Sequence, residues 1–172
     1  MATAMVEPKV PDEVEPDPML SRVVRGVVGG EVAGAVFALV TVWFTTSLEM
    51  GRDMALLMMS TVASGQSSID DGSASVAVGV GVHLFLSALF GVVFSLAVPK
   101  MRTNGTLLLS AGVFGLIVYL VNFRLLSPMF FPVFQDANQP FEVLVHLVYG
   151  QVLAVIFLSR GVRAGERRFD WR

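Results

Sequence analysis

Four apolar runs, at residues 23–44, 76–98, 106–126 and 141–158, are separated by more polar stretches, the first of them, 45–75, longer than any run. A helix rises about 1.5 Å per residue, so each run matches the roughly 20 residues that cross a bilayer. The runs are rich in valine, yet they read as helices, because backbone groups in lipid must be hydrogen-bonded within the segment. The pattern predicts an all-α membrane protein with four transmembrane helices. Residues 23–160 form the bundle, between a proline- and acid-rich tail at 1–22 and a basic tail at 161–172.

Inside the runs, small residues recur at every fourth position, which stacks them on one helix face. Gly26, Gly30, Gly34 and Ala38 mark the first helix, Ser87, Gly91 and Ser95 the second, Ala111 and Gly115 the third, Gly150 and Ala154 the fourth. Lipid offers no hydrophobic drive for helix association, so such faces hold helices together by letting backbones approach. They serve the bundle first, and one of them also suits a partner membrane protein.

The fourth helix carries Glu142, His146, Gly150 and Ala154 at this spacing, and the second echoes it with His83, Ser87, Gly91 and Ser95. The echo predicts a duplicated pair of hairpins, the first helix with the second and the third with the fourth. It sets His83 and His146 at similar depths, about two turns inside, with Tyr119, Asn122 and Arg124 approaching from the third helix.

Composition agrees with a membrane location: 54% of the 172 residues are hydrophobic, 15% are charged, and mean hydropathy is +0.70. There is no cysteine, which excludes disulfides, thiolate metal sites and a cysteine nucleophile. A net charge of −2 argues against a nucleic-acid partner. The charges are unevenly spread. Lys9, Arg22, Arg25, Lys100, Arg102, Arg160, Arg163, Arg167, Arg168 and Arg172 share one side if both termini do, leaving Arg52 and Arg124 opposite, so both termini are expected in the cytoplasm. The loops at 45–75 and 127–140 then face outward with Glu49, Asp53, Asp70, Asp71 and Asp136. Trp43, Phe44 and the FFPVF run at 130–134 read as an interfacial aromatic belt.

In the first outer loop, LEMGRDMALLMMS reads as a short amphipathic turn lying on the outer surface. Its Met50, Met54, Met58 and Met59 suit packing better than Cu(I) capture, since no His or Cys accompanies them. GQSSIDDGSAS, which follows, reads as a flexible loop. The N-terminal tail, with four prolines and five acids in twenty residues, reads as disordered or as a docking arm for a partner. The arginines of the C-terminal tail suit anionic lipid, with Phe169 and Trp171 as interfacial anchors.

The usual enzyme signatures are absent from the chain, so no catalysis is expected. The candidate chemistry lies in the polar cluster of His83, Asn122, Arg124, Glu142 and His146. Three roles fit it: hydrogen bonds that fix helix register, proton or lipid-headgroup handling with Arg124 and Glu142, and axial ligation of a haem b by His83 and His146. Glu31, near the cytoplasmic end of the first helix, is expected to pair with Arg25, Lys100 or Arg160, or to snorkel toward water.

GVVGGEVAGAVFALV in the first helix, HLFLSALFGVVFSL in the second, and EVLVHLVY leading into an arginine-rich tail resemble small bacterial inner-membrane proteins of the YagU type. His83 and Ser87 match H-x-x-x-S, while Glu142, His146, Leu147 and Val148 match E-x-x-x-H-L-V. The resemblance implies a bacterial inner-membrane location, paired histidines and no known catalysis. The expected function is that of a non-catalytic accessory or assembly subunit of a larger membrane complex, of respiratory or lipid-transport type, joined through small-residue faces and the N-terminal tail. A bis-histidine haem b electron-transfer protein and a small lipid- or proton-handling protein are the alternatives.

Overall fold

The computed structural model describes residues 18–158, and those residues form helices joined by short turns and irregular connections, with no strand among them. The N-terminal tail to residue 17 and the basic tail, with Arg160, Arg163, Arg167, Phe169 and Trp171, lie outside the described residues. The helices are α1 (Met19–Ser47), α2 (Met54–Ser64), α3 (Ser67–Asp70), α4 (Val76–Ala97), α5 (Asn104–Tyr119), α6 (Ser127–Phe130) and α7 (Gln139–Val155). A π-helical stretch, Leu120–Leu126, joins α5 to α6 without a break. Three of these helical rods, Met19–Ser47, Val76–Lys100 and Asn104–Phe130, are long and apolar enough to cross a membrane.

Local chemistry sets several boundaries. Thr103 and Thr106 form a reciprocal capping box at the start of α5, each side chain accepting from the other's backbone N–H at 3.0 Å. Asn138 caps α7 by accepting from the Phe141 N–H at 3.1 Å, with Pro140 in the first turn, where no N–H is needed. At the opposite end of α7, the Arg25 guanidinium donates to the Ile156 carbonyl and lies 5.3 Å over the Phe157 ring, which ties the start of α1 to the last carbonyls of α7.

The helices pair as two hairpins, α1 with α4 and α5 with α7, and the hairpins meet where α1 packs on α7. Each hairpin closes on the small-residue stripes. A Cβ built on Gly26 would stand 2.7 Å from the Gly91 carbonyl oxygen, and one on Gly30 would run into the Ser87 carbonyl. In the second hairpin Gly115 faces the His146 carbonyl and Gly150 faces that of Ala111, with the same result. Such approaches bring Cα–H groups onto carbonyls, contacts worth about 0.5–1 kcal/mol each. Gly26, Gly29, Gly30, Ala33, Gly34, Ser87, Gly91, Ala111, Gly115, Gly150 and Ala154 are all buried, whereas Leu39, Phe85, Leu109 and Leu144 point outward. Small residues inside and large apolar residues outside is the arrangement expected of helices solvated by lipid.

The first outer loop departs from the sequence reading. α2 is not a surface turn: it packs along α4, where Gly79 meets the Leu56 carbonyl so closely that no side chain fits. Its inward Ser60 and Thr61 are buried and donate to the Leu57 and Met58 carbonyls at 2.7 Å, so their hydroxyls are satisfied within the helix. The GQSSIDDGSAS segment, read as a loop, contains the short helix α3 and several hydrogen bonds. Ser68 is buried and donates to the Gly65 carbonyl, Asp71 accepts from the Ser73 N–H, and Gln66 accepts from the Val133 N–H of the other loop at 3.2 Å. Short polar side chains that signal a loop also bond their own backbone, and here they build a compact cap.

The π-helical stretch has an identifiable cause. The Ser127 N–H bonds the Asn122 carbonyl, five residues back, so the next carbonyl in line, that of Phe123, faces Pro128, which has no N–H. Gln135 fills the gap: its Nε2 donates to the Phe123 carbonyl at 2.8 Å and to Ser127 Oγ at 2.8 Å. Gln139 accepts from the Tyr119 hydroxyl at 3.0 Å and donates to carbonyls of the Phe134–Ala137 turn. Replacing Gln135 by leucine is expected to destabilise the protein by about 1–3 kcal/mol, the cost of an orphaned buried carbonyl. Adding Pro128→Ala returns an N–H opposite Phe123 and should recover part of that loss. Melting temperatures of the two single variants and the double variant in micelles check this; equal losses with and without Pro128 would exclude the assignment.

Candidate functional site

At the loop end of the bundle the helices enclose a cavity of about 640 Å³. Six elements build it, α4 among them through His83 and Leu86. α1 contributes Phe37, Ala38, Thr41, Phe44 and Thr45; α2 contributes Met54, Ala55, Met58, Met59 and Val62; the π-helical stretch contributes Asn122, Phe123 and Leu126. The turn after α6 closes it with Phe131, Val133 and Phe134, and α7 adds Phe141, Glu142 and His146. The volume falls in the range of small-molecule sites, as does the chemistry: apolar walls with a few convergent polar groups. A deeper niche of about 50 Å³ continues from it between His83, Ser87, Asn122, His146 and Tyr149. Phe44 and Phe141 stack at 3.8 Å, nearly parallel, and join α1 to α7 beside the cavity.

Hydrogen bonds fix the histidine tautomers. His83 Nε2 lies 2.9 Å from the Gly34 carbonyl, which only accepts, so Nε2 carries the proton and Nδ1 of the neutral ring keeps a lone pair. His146 Nδ1 lies 2.7 Å from the Glu142 carbonyl and donates to it, leaving Nε2 as the acceptor. The His146 ring sits in an aromatic box of Phe37, Tyr119 and Phe123, with centroids 4.9, 5.8 and 5.5 Å away. Glu142 and His146 are both over nine-tenths buried, and the Glu142 carboxylate stands 3.8 Å from Nδ1, too far for a hydrogen bond. The buried Thr41 Oγ1 is without a hydrogen-bond partner among the described residues. Tyr149 donates to the Ser87 carbonyl at 3.1 Å.

Of the predicted polar cluster, the structure brings His83, Asn122, Glu142 and His146 to one cavity and leaves Arg124 out. Arg124 is exposed and does not line the cavity. Residues two apart on a helix point away from each other, so Asn122 and Arg124 cannot both turn inward. Glu31 is half-buried on α1 and also lies outside the cavity lining. The histidines are not level in the repeated frame. Gly91 packs on Gly26 and Gly30 as Gly150 packs on Ala111 and Gly115, so His83 corresponds to Glu142, and His146 to Ser87, one turn deeper.

That register bears on haem. His83 directs its Nε2 to a backbone carbonyl, and Phe37 packs against both imidazoles, 6.0 Å from His83 and 4.9 Å from His146. Axial ligation of one iron by both residues would need the bond broken and the ring displaced, so the pair as folded does not fit a bis-histidine haem. The methionines have a role that packing alone did not assign: Met50, Met54, Met58 and Met59 all line the cavity. Flexible, polarizable side chains suit an irregular apolar wall. The aromatic belt also divides, Trp43 and Phe130 pointing outward while Phe44, Phe131 and Phe134 face the cavity.

No protein-family profile, curated protein or solved structure matches the chain.

Proposed function

We propose that the protein is a non-catalytic, four-span membrane protein that binds an amphiphilic molecule drawn from the outer leaflet of a bacterial inner membrane. The observation that carries this reading is the cavity of about 640 Å³, apolar along its walls and polar at its floor. An apolar tail would replace lipid contacts along the Met and Phe walls, and a polar head would reach His83, Asn122, Glu142 and His146. α7 serves as the fourth span; its 17 described residues are packed on α1 and α5, and the apolar sequence runs on to Leu158. Arg22, Arg25, Lys100 and Arg102 gather at the end away from the cavity, which supports cytoplasmic termini and an outward-facing site. This is also the architecture implied by the YagU-type motifs.

The accessory-subunit reading drew on small-residue faces free to meet a partner. Those faces are consumed between α1 and α4 and between α5 and α7, so the cavity is the stronger ground. Purified protein in phosphatidylcholine nanodiscs, titrated with a fluorescent fatty-chain probe, tests the proposal. Saturable binding near one probe per chain, competed by unlabelled amphiphile, is the expected result. Binding that rises linearly with probe, as in empty nanodiscs, would refute it.

A further inference from the structure

We infer that the occupant carries a small cationic head, a primary ammonium on an apolar tail, held beside His83, Asn122 and His146 with Glu142 as counter-charge. This rests on reading the cavity as an amphiphile site. Among the described residues its lining holds two acids, Asp136 and the buried Glu142, and neither Lys nor Arg. A phosphate or carboxylate head would meet carboxylates with no cation to offset them.

The hydrogen-bond inventory points the same way. With one nitrogen of each ring committed to a backbone carbonyl, the imidazoles offer only acceptors to a ligand: His83 Nδ1 and His146 Nε2. Glu142 adds carboxylate acceptors that have no hydrogen bond among the described residues, because the proton of His146 nearest to it is taken by the Glu142 carbonyl at 2.7 Å. Asn122 and Thr41 can donate as well as accept, but the free imidazole nitrogens and the Glu142 carboxylate only accept, and an ammonium offers them three donors with a full positive charge. The niche beside His83, Asn122 and His146 gives a small head room next to the imidazoles, while Glu142 lines the adjoining main cavity.

Four twelve-carbon probes test the inference against the fluorescent chain in phosphatidylcholine nanodiscs: dodecylamine, 1-dodecanol, dodecanoic acid and N-dodecylacetamide. Dodecylamine is expected to displace the probe at about tenfold lower concentration than any other, the difference between a charge-assisted and a neutral hydrogen bond. Glu142→Gln should bring the amine to the level of the alcohol measured on the same variant. Its fold is checked by helical circular dichroism; the amine against its acetamide on the natural protein decides the matter if that variant fails to fold. Equal displacement by amine, alcohol and acetamide would overturn the cationic head while leaving the amphiphile site intact. Tighter binding of the acid, or an amine preference that survives in folded Glu142→Gln, would overturn it too. Failure of all four to displace would remove both readings.

Discussion

Valine at position 30 is expected to keep the first hairpin from closing. A Cβ there would overlap the Ser87 carbonyl and stand 3.1 Å from the Gly91 Cα, and both obstacles are backbone, which cannot rotate away. α1 would have to lift from α4, losing the neighbouring contacts of Gly26 and Gly34 as well. Overpacking of this kind costs about 3 kcal/mol at the upper end of its usual range, and a displaced helix adds to that. The variant should aggregate or melt well below the natural protein in micelles. Gly81 supplies the control, since nothing lies within 4 Å of its Cβ direction. Gly81→Ala should be neutral or stabilise by up to about 1 kcal/mol, as for glycine in an exposed helix. A Gly30→Val protein that melts with Gly81→Ala would show that the stripe does not set the approach of α1 and α4.

The second large effect concerns binding. Ala38 and Ala55 line the cavity from α1 and α2, and neither is fully buried, so a bulky side chain at each can turn into the open volume. Tryptophan at both positions is expected to weaken fatty-chain binding by about 10–100-fold, corresponding to roughly 1.5–3 kcal/mol of lost apolar burial. Melting temperature should hold or rise, because a cavity is being filled. Probe titration in nanodiscs measures the first quantity and circular dichroism the second. Unchanged binding in a folded double variant would place the amphiphile elsewhere.

The stripes were legible in the sequence because, among leucine, valine and phenylalanine, a glycine every fourth residue has few explanations besides close packing. They locate the hairpin partners and the register, down to the equivalence of Gly91 with Gly150. The polar floor was legible in part. Asn122, Glu142, His83 and His146 stand out as costly residues in apolar runs, and Arg124 was wrongly joined to them although its spacing from Asn122 opposes it. The cavity itself was not legible. Its walls come from α2 and the turn after α6, whose methionines and phenylalanines have the same composition whether they face lipid, an interface or a pocket. Nor did proximity in sequence help with Trp43 and Phe44, which sit about 100° apart on the helix and therefore serve lipid and cavity respectively. Gln66 and Gln135 carried no signal at all, since a glutamine that satisfies a distant backbone group looks like any loop glutamine.

The bond between the Val133 N–H and Gln66 joins residues 67 positions apart in the chain. Contacts so distant in sequence form after local ones, because the intervening chain must first be brought together. The α1–α4 hairpin can close as soon as its own residues are made, but its loop finds this tether only when the second hairpin has been synthesised and inserted. The roof over the cavity is therefore expected to be the last part of the molecule to set. Until then the floor around His83 lies open to whatever the surrounding bilayer supplies, and an amphiphile already seated there would be enclosed as the roof docks.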